Sequence, residues 1–421
     1  MRVGINGLFW PQENTGSGQY TRQLWQKLPA LNQTEPADEQ VSYTLLGYRP
    51  AVPLDEIPAS QKLLANVPAA VQRGGDNAVK LWWEQAGLPG LVSAEKKAGR
   101  AFDVIHWPYF AAALKQPPAP CATIVTIHDL IPLVLPDYAP SLPLKVYFKL
   151  VSRAAQQATL VLADSEHSRQ DILRLLKLPE DKVETVYLGT DPVYRPAQLS
   201  AEQRQTLFQK YGLQGHERVI FYIGGFDRRK NMPMLIEAFG RALPRLKELE
   251  QAEGPEDARP WTLAIAGKAH STNSEMYPDL REPARRALSP ADSGRIHFLG
   301  RVDEEDKAPL YQSAEMFVFP SLYEGFGLDP LDALACGIPT ICSNASSLPE
   351  LMGDAAVLVS PGDTKAWTEA LVELASNEAK RAALAEAGPV QAARFSWEKT
   401  AERTLQLYHA AECIMTRGKK R

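Results

Sequence analysis

R-V-I-F-Y-I-G-G-F, Arg218 to Phe226, is a β-branched and aromatic run closed by two glycines, the pattern of a strand that ends in a tight turn. It follows G-T-D-P-V-Y-R-P-A, Gly189 to Ala197, whose prolines and glycine between periodic segments make a linker. What stands on each side of that linker decides the architecture. Ahead of it, short apolar runs (residues 2–6, 41–47, 102–107, 122–128, 159–164 and 183–188) alternate with amphipathic segments such as Gln19–Pro29, Asn77–Lys97 and Ser165–Lys177. After it the alternation restarts with W-T-L-A-I-A-G-K, R-I-H-F-L-G-R-V, M-F-V-F-P, I-P-T-I-C-S and A-V-L-V-S-P. Apolar strands alternating with helices indicate mainly parallel sheets covered on both faces. The expected fold is α/β: two Rossmann-like, doubly wound domains facing each other across a cleft, residues 1–190 and 197–395.

Composition narrows the function classes. A chain of 421 residues exceeds what one core organises, in keeping with two domains. A net charge of −4 supplies no basic field for nucleic acid. The R-G-K-K-R end, Arg417 to Arg421, reads as a solvated tail, and residues 248–260 read as a Glu/Pro/Gly-rich surface insertion. Cys121, Cys336, Cys342 and Cys413 show no C-x-x-C spacing, and Cys336 and Cys342 read as reduced core residues. M-R-V-G-I-N-G-L-F-W lacks the pattern of a secretory leader, and no long apolar window spans a bilayer, so the expected location is cytoplasmic.

Four constellations carry possible chemistry. T-G-S-G-Q-Y-T, Thr15 to Thr21, joins the first strand to the first helix. Gly16 and Gly18 would let amides approach an anion at a helix N-terminus, although Thr21 replaces the third glycine of a dinucleotide fingerprint and an ordinary turn explains the loop equally well. I-G-G-F-D-R-R-K-N, Ile223 to Asn231, sets Arg228, Arg229 and Lys230 at a helix start, where cations oppose the dipole unless an anion lies between them. E-G-F-G-L-D-P-L-D, Glu324 to Asp332, places two acids eight positions apart around a helix expected from Leu328 to Cys336. Asp329 as N-cap and Pro330 as first helical residue account for much of it by stability alone, whereas Glu324 has no such structural reason. His128 ends a strand in V-T-I-H-D-L-I-P-L, at the carboxyl edge where open sheets bind ligands, and Asp129 suits the cap of the next turn. Two glycine-lined helix starts, a basic cluster and acids suited to hydroxyls point to a diphosphate flanked by sugars. No D-x-D stands near a strand end to seat a metal.

Over nearly its full length the chain resembles the retaining GT-B glycosyltransferases with the E-x7-E motif, the mannosyltransferase-like group 1 family. The early glycine loop, I-H-D-L-I-P, A-D-S-E-H-S-R-Q-D-I, G-T-D-P-V-Y-R-P, G-G-F-D-R-R-K-N, F-L-G-R-V, E-G-F-G-L-D-P-L-D-A-L-A-C-G-I-P and F-S-W-E carry the likeness. The resemblance implies sugar transfer from a nucleotide donor to an acceptor hydroxyl with retained configuration. It implies that Gly16, Gly18, Arg229 and Lys230 lie at the donor phosphates, and Glu324 and His128 at the donor sugar. Gly327 and Leu328 would hold the diphosphate through their amides, Gly300, Arg301 and Val302 would lie beside the base, and Asp332 would face the ribose. It also implies that the last helix, about 398–415, returns to the N-terminal domain, which would bind the acceptor. Two departures stand out: Asp332 replaces the second Glu, shorter by roughly 1.5 Å, and Gly225 stands where many members have Arg.

The expected function is therefore a metal-independent retaining hexosyltransferase without a cofactor. Its donor would be GDP-mannose first and a UDP-hexose next, and its acceptor a carbohydrate or lipid-linked sugar, with no nucleic-acid partner. Trp82 and Trp83 with Lys96, Lys97 and Arg100 suit either a membrane-surface face or core packing. Competing readings are a nucleotide-sugar epimerase or phosphorylase, and a non-catalytic sugar-nucleotide-binding subunit.

Overall fold

The computed structural model describes residues 1–12, 15–31, 40–49, 54, 56–112, 120–138, 141–254, 259–268 and 273–417. They form two units, Met1–Gly189 with Trp397–Arg421, and Thr190–Ser396. The first holds β1 (Arg2–Asn6), β2 (Ser42–Arg49), β3 (Lys62–Asn66), β4 (Val104–Trp107), β5 (Ala122–Ile127), β6 (Leu160–Ala163) and β7 (Val183–Thr185). Their order is β3-β2-β1-β4-β5-β6-β7 and every pairing is parallel. β3 was not among the expected strands: K-L-L-A-N is a half-exposed edge strand, so it lacks the continuous apolar run of its buried neighbours.

The second unit holds β8 (Arg218–Ile223), β9 (Trp261–Ala266), β10 (Ile296–Gly300), β11 (Met316–Phe319), β12 (Thr340–Ser343) and β13 (Val357–Val359). Their order is β10-β9-β8-β11-β12-β13, again all parallel. In each sheet the strand order reverses once, between β1 and β4 and between β8 and β11. Ligands of open α/β sheets bind beyond the carboxyl ends at such a reversal, so the loops after these four strands are where chemistry is expected.

Helices cover the sheets with apolar stripes. Met232–Ala252 buries Leu235, Ile236, Phe239, Ala242, Leu243 and Leu246, at three- and four-residue spacing. Each such side chain contributes about 1.5–3 kcal/mol when fully buried. This helix runs through Glu248–Ala252, which correct the expected insertion. Glu250 accepts from Trp261 N at 2.7 Å and from Arg295 Nη1 at 2.8 Å, so this stretch is part of the core frame. Residues 255–258 of that insertion, and 418–421 of the basic tail, lie outside the described residues.

The expected helix Asn77–Lys97 comprises an α-helix Gly75–Trp82, a π-helical turn Trp83–Gly87 and an α-helix Leu88–Lys97. The wide turn comes just before Pro89, whose ring and missing N–H do not fit a tight α-turn. Trp83 is fully buried and its Nε1 donates to Asn6 Oδ1 at 2.9 Å, so core packing prevails over the membrane-face reading there. The C-terminal helix Trp397–Arg417 packs on helix Gly16–Leu31 of the first unit. Lys27 Nζ lies 2.6 Å from Glu398 Oε1, Thr400 Oγ1 donates to Tyr187 O at 2.7 Å, and Tyr408 Oη lies 2.8 Å from His106 Nδ1. Among the described residues no helix is long and apolar enough to cross a membrane.

Candidate functional site

The chain leaves β8 through Gly224, at φ +152°, where a Cβ would stand 2.8 Å from Tyr222 Oη. Arg228–Lys230 form one 3-10 turn, and Asn231, at φ +57°, separates it from helix Met232–Ala252. The cations therefore precede the long helix rather than start it. Asn231 Nδ2 donates to Pro320 O at 3.3 Å and Pro361 O at 2.8 Å, and Leu322 N donates to Arg229 O at 2.7 Å. The bonds to Pro320 and from Leu322 tie the loop after β8 to the loop after β11, the two that flank the reversal of the sheet, and the bond to Pro361 reaches the loop after β13.

There the sequence-selected side chains meet on one oxygen. Glu324 Oε1 lies 2.6 Å from Arg229 Nη1, 2.8 Å from Lys230 Nζ and 2.6 Å from Ser321 Oγ. Arg229 Nη1 also donates to Tyr323 O at 3.0 Å, and Lys230 Nζ lies 4.6 Å from the Phe319 ring centre. Glu324 and Lys230 are both buried. Burial alone pushes the Glu324 carboxyl up, but the charges of Lys230 and Arg229 outweigh it and hold the pKa at about 2. This corrects the reading that Glu324 has no structural reason: it neutralises buried Lys230 and shares Arg229 with Asp227, 3.3 Å from Arg229 Nε.

Helix Leu328–Ala335 begins at Gly327, which is the N-cap in place of the expected Asp329. Gly327 adopts φ +123°, and a Cβ there would stand 2.8 Å from Leu348 Cδ2, so this position requires glycine. Asp329 thus enters the first turn, where burial raises its pKa despite the opposing charge of Lys230. Asp332 lies one turn deeper, and its Oδ1 accepts from Thr190 Oγ1 at 2.5 Å. Burial pushes the Asp332 carboxyl well above the usual range, the Thr190 bond opposing. Gly300 ends β10 at φ +72°, followed by exposed Arg301 and buried Val302. β10 is the edge strand, two strand spacings or about 10 Å from β8. The structure therefore gathers Arg229, Lys230 and Glu324, sets Gly327 and Leu328 just beyond them, and leaves Asp332 and Gly300–Val302 outside the ion cluster.

In the first unit, Thr15 Oγ1 accepts from Gly18 N at 3.2 Å and starts helix Gly16–Leu31. A Cβ on Gly18 would stand 2.0 Å from Gln12 O, whereas one on Gly16 would meet nothing within 4 Å. Thr21, at the third-glycine position, is buried and donates to Ser17 O at 2.7 Å. His128 follows β5, with Nδ1 2.7 Å from Asp164 Oδ2 and Nε2 3.0 Å from Pro108 O. Asp129 Oδ1 accepts from Ile131 N at 3.0 Å, capping the next turn as expected.

Two residues were not singled out from the sequence. Ser321 shares the Glu324 oxygen, and its only sequence signal is its place just beyond a strand. Asp164 lies just beyond β6 within A-D-S-E-H-S, a polar residue directly after an apolar strand.

The Glycosyl transferases group 1 model matches residues 203–391, and the Glycosyltransferase Family 4 model matches residues 40–194. O-antigen chain mannosyltransferase B of Escherichia coli is 32% identical over 287 residues, covering 68% of this chain and 69% of that protein. The serotype-specific mannosyltransferase WbdA of Escherichia coli is 28% identical over 297 residues, 70% of this chain but 34% of that longer protein. Sucrose-phosphate synthase of Thermosynechococcus elongatus superposes with a TM-score of 0.67 at 20% identity, covering 97% of this chain and 98% of that one. Two parallel α/β sheets with alternating helices, the family match and the mannosyltransferase relative agree: the chain belongs to the group 1 glycosyltransferases of GT-B fold and is a glycosyltransferase enzyme.

Proposed function

We propose that this glycosyltransferase moves a hexose, mannose first, from a nucleotide-diphosphate sugar to an acceptor hydroxyl, with retention and without a metal. The observation that carries the reading is the Arg229–Lys230–Glu324 cluster, with Lys230 and Glu324 buried, at the reversal of the second sheet. Arg229 and Lys230 would meet the donor diphosphate with the amides of Gly327 and Leu328, and Glu324 would orient the sugar. Gly300–Val302 would border the base, and Asp332 would reach the ribose only by giving up Thr190. In the transfer step the bond from the anomeric carbon to phosphate breaks and the acceptor oxygen bonds that carbon. The acceptor proton passes to the leaving phosphate. Gly16, Gly18 and His128 would serve this reaction from the first unit, which binds the acceptor. Mannose is favoured by the likeness to mannosyltransferases, and the donor is taken as GDP-linked before UDP-linked.

A thermal-shift screen against GDP, UDP, ADP and their sugars tests the donor, since a ligand at 100 times its Kd stabilises by about 2.7 kcal/mol. Turnover unaffected by EDTA, and a product with the donor's anomeric configuration by NMR, are the expected companions. Products from donor alone would favour an epimerase. Nucleotide binding without any turnover would favour a binding subunit.

A second reading concerns where the acceptor is met. Helix Leu142–Gln157 carries Lys145, Lys149 and Arg153 and no acidic residue, in a chain of net charge −4. It buries Phe148, Val151 and Ala154 yet leaves Leu142 74% and Val146 46% exposed. A basic face with exposed apolar residues suits an anionic bilayer, and so a lipid-linked acceptor. Flotation with phosphatidylglycerol but not phosphatidylcholine vesicles is expected, and K145E/K149E should abolish it; a protein that stays at the bottom with both lipids removes the membrane from the reading.

A further inference from the structure

His128 follows β5 beside Asp164, which follows the neighbouring strand β6, and their hydrogen-bond partners bear on where the protons lie. Pro108 O can only accept, so His128 Nε2 carries a hydrogen toward it at 3.0 Å. Asp164 Oδ2, 2.7 Å from Nδ1, accepts the second. With Asp164 ionised, both ring nitrogens are donors, which makes the ring a cation with no nitrogen left to take a proton from a substrate. Asp164 is 2% exposed, and its other oxygen, Oδ1, is buried without a hydrogen-bond partner among the described residues. An acid buried this deeply, with one oxygen committed to one imidazole, is costly unless that imidazole is charged.

The surroundings of the ring agree. Tyr20 of helix Gly16–Leu31 meets the His128 ring edge-on at 5.1 Å, Asp129 follows in the same loop, and His106 of β4 lies behind Tyr20 at 6.1 Å. His106 is itself fully buried between Tyr408 Oη and Thr126 Oγ1, both at 2.8 Å. Its partners are hydroxyls that accept or donate, so it needs no charge. Burial, then the neighbouring His128, push the His106 pKa down to about 3. Burial lowers His128 likewise, but Asp164 first, then Asp129 and the Pro108 carbonyl, outweigh it and raise its pKa. The two histidines, one on β4 and one just beyond β5, are thus pushed in opposite directions by their partners.

We propose that Asp164 is a positioning residue for the transfer reaction: it fixes His128 as an imidazolium at the carboxyl edge of the first sheet, so that His128 acts as a fixed positive charge and never as a base. The proposal rests on the reading that His128 serves sugar transfer, and two separate measurements tell the failures apart. Side-chain nitrogen NMR of the intact protein, without substrate and with His128 identified by the H128Q variant, should show a doubly protonated ring at pH 7.5. In D164N the titration of that ring should move down by about 1–3 pH units. A ring already neutral in the wild-type protein at pH 7.5 would overturn the proposal with no variant needed. The kcat of transfer, followed against pH, should lose its alkaline side at lower pH in D164N than in wild type, with D164E restoring it in part and KM for the donor little changed. A merely structural Asp164 would lower Tm and leave the pH profile in place, and that outcome refutes the proposal. If the NMR titration moves while the kcat profile does not, the pairing stands but its role in transfer falls. A wild-type protein without turnover would instead sink the reading of His128 in sugar transfer, on which the proposal rests.

Discussion

Each unit buries an acid against a cation beyond the carboxyl ends of a parallel sheet, and the two arrangements differ in what the cation has left to offer. In the second unit Glu324 meets Lys230, an ammonium with three donors, and Arg229, a guanidinium with five. One carboxylate oxygen serves both, so an arriving diphosphate can share or take over donors that the acid now organises. In the first unit Asp164 meets His128, whose two N–H groups are both engaged. On the proposed function the first arrangement would be an exchangeable anion site and the second a fixed charge. The same buried acid therefore has different consequences when removed, because losing Glu324 strands Lys230 and leaves Arg229 only Asp227, whereas Asp164 strands no cation that cannot shed its proton.

The contrast is broken most directly at Lys230. Lys230→Ala should lower kcat/KM for transfer by about 10²–10³, the usual loss for one preorganised donor to developing negative charge. Arg229 would still neutralise Glu324, so Tm should fall less than in a Glu324 variant. Near-normal kinetics would remove the phosphate role from the cluster. Glu324→Gln should cost stability as well as activity, on the order of 3 kcal/mol, because it leaves buried Lys230 and half-buried Arg229 facing an amide. That corresponds to a fall in Tm of about 6–12 °C in a unit of this size. A variant that loses transfer while melting like wild type would return Glu324 to a purely substrate-binding role.

Acid titration sharpens the same point. The Glu324 pKa is held at about 2, below the ordinary carboxylate value of 4.5. A depressed folded pKa contributes stability that is complete above the unfolded value and is lost as pH falls through the folded one. The window is therefore pH 4.5 down to 2, and the contribution is about 3 kcal/mol at neutral pH. Urea midpoints measured across that window should converge for wild type and Glu324→Gln. Parallel curves would mean that the cluster is not coupled to folding.

How much of this was legible beforehand follows from what each feature depends on. The parallel strands were readable because burial on both faces leaves near-continuous apolar runs, and half-exposed β3 escaped for the converse reason. Helix Leu142–Gln157 also escaped, since its apolar residues fall on both its buried and its exposed face. Arg229, Lys230 and Glu324 were recognisable as residue types in strand-end loops. Their common oxygen was not, because Lys230 and Glu324 are 94 positions apart and pairing at that distance is a property of the folded sheet. Cap chemistry favoured Asp329 and Pro330, yet the helix begins at Gly327, a position that Leu348 closes to a side chain, and no local pattern reports such a contact. Thr190 on Asp332, 142 positions away, is hidden in the same manner.

The smallest effects separate the two glycines of the first loop, which the sequence treated alike. A methyl on Gly18 would press into the Gln12 carbonyl at 2.0 Å, a backbone atom that cannot swing aside, so Gly18→Ala should destabilise by about 1–3 kcal/mol. Gly16 has no positive φ and no heavy atom within 4 Å of a Cβ, so the fold does not require glycine there. Gly16→Ala should stabilise by about 0.5–1 kcal/mol through the lost entropy of the unfolded chain. That is a rise in Tm of about 1–4 °C. If Gly16 lies against the donor phosphates, the same methyl obstructs them, and KM for the donor should rise several-fold while Tm rises too. Opposite signs in one variant cannot come from damage to the fold. A higher Tm with unchanged KM would take Gly16 out of the donor contact and leave Gly18 as a packing residue of the helix start.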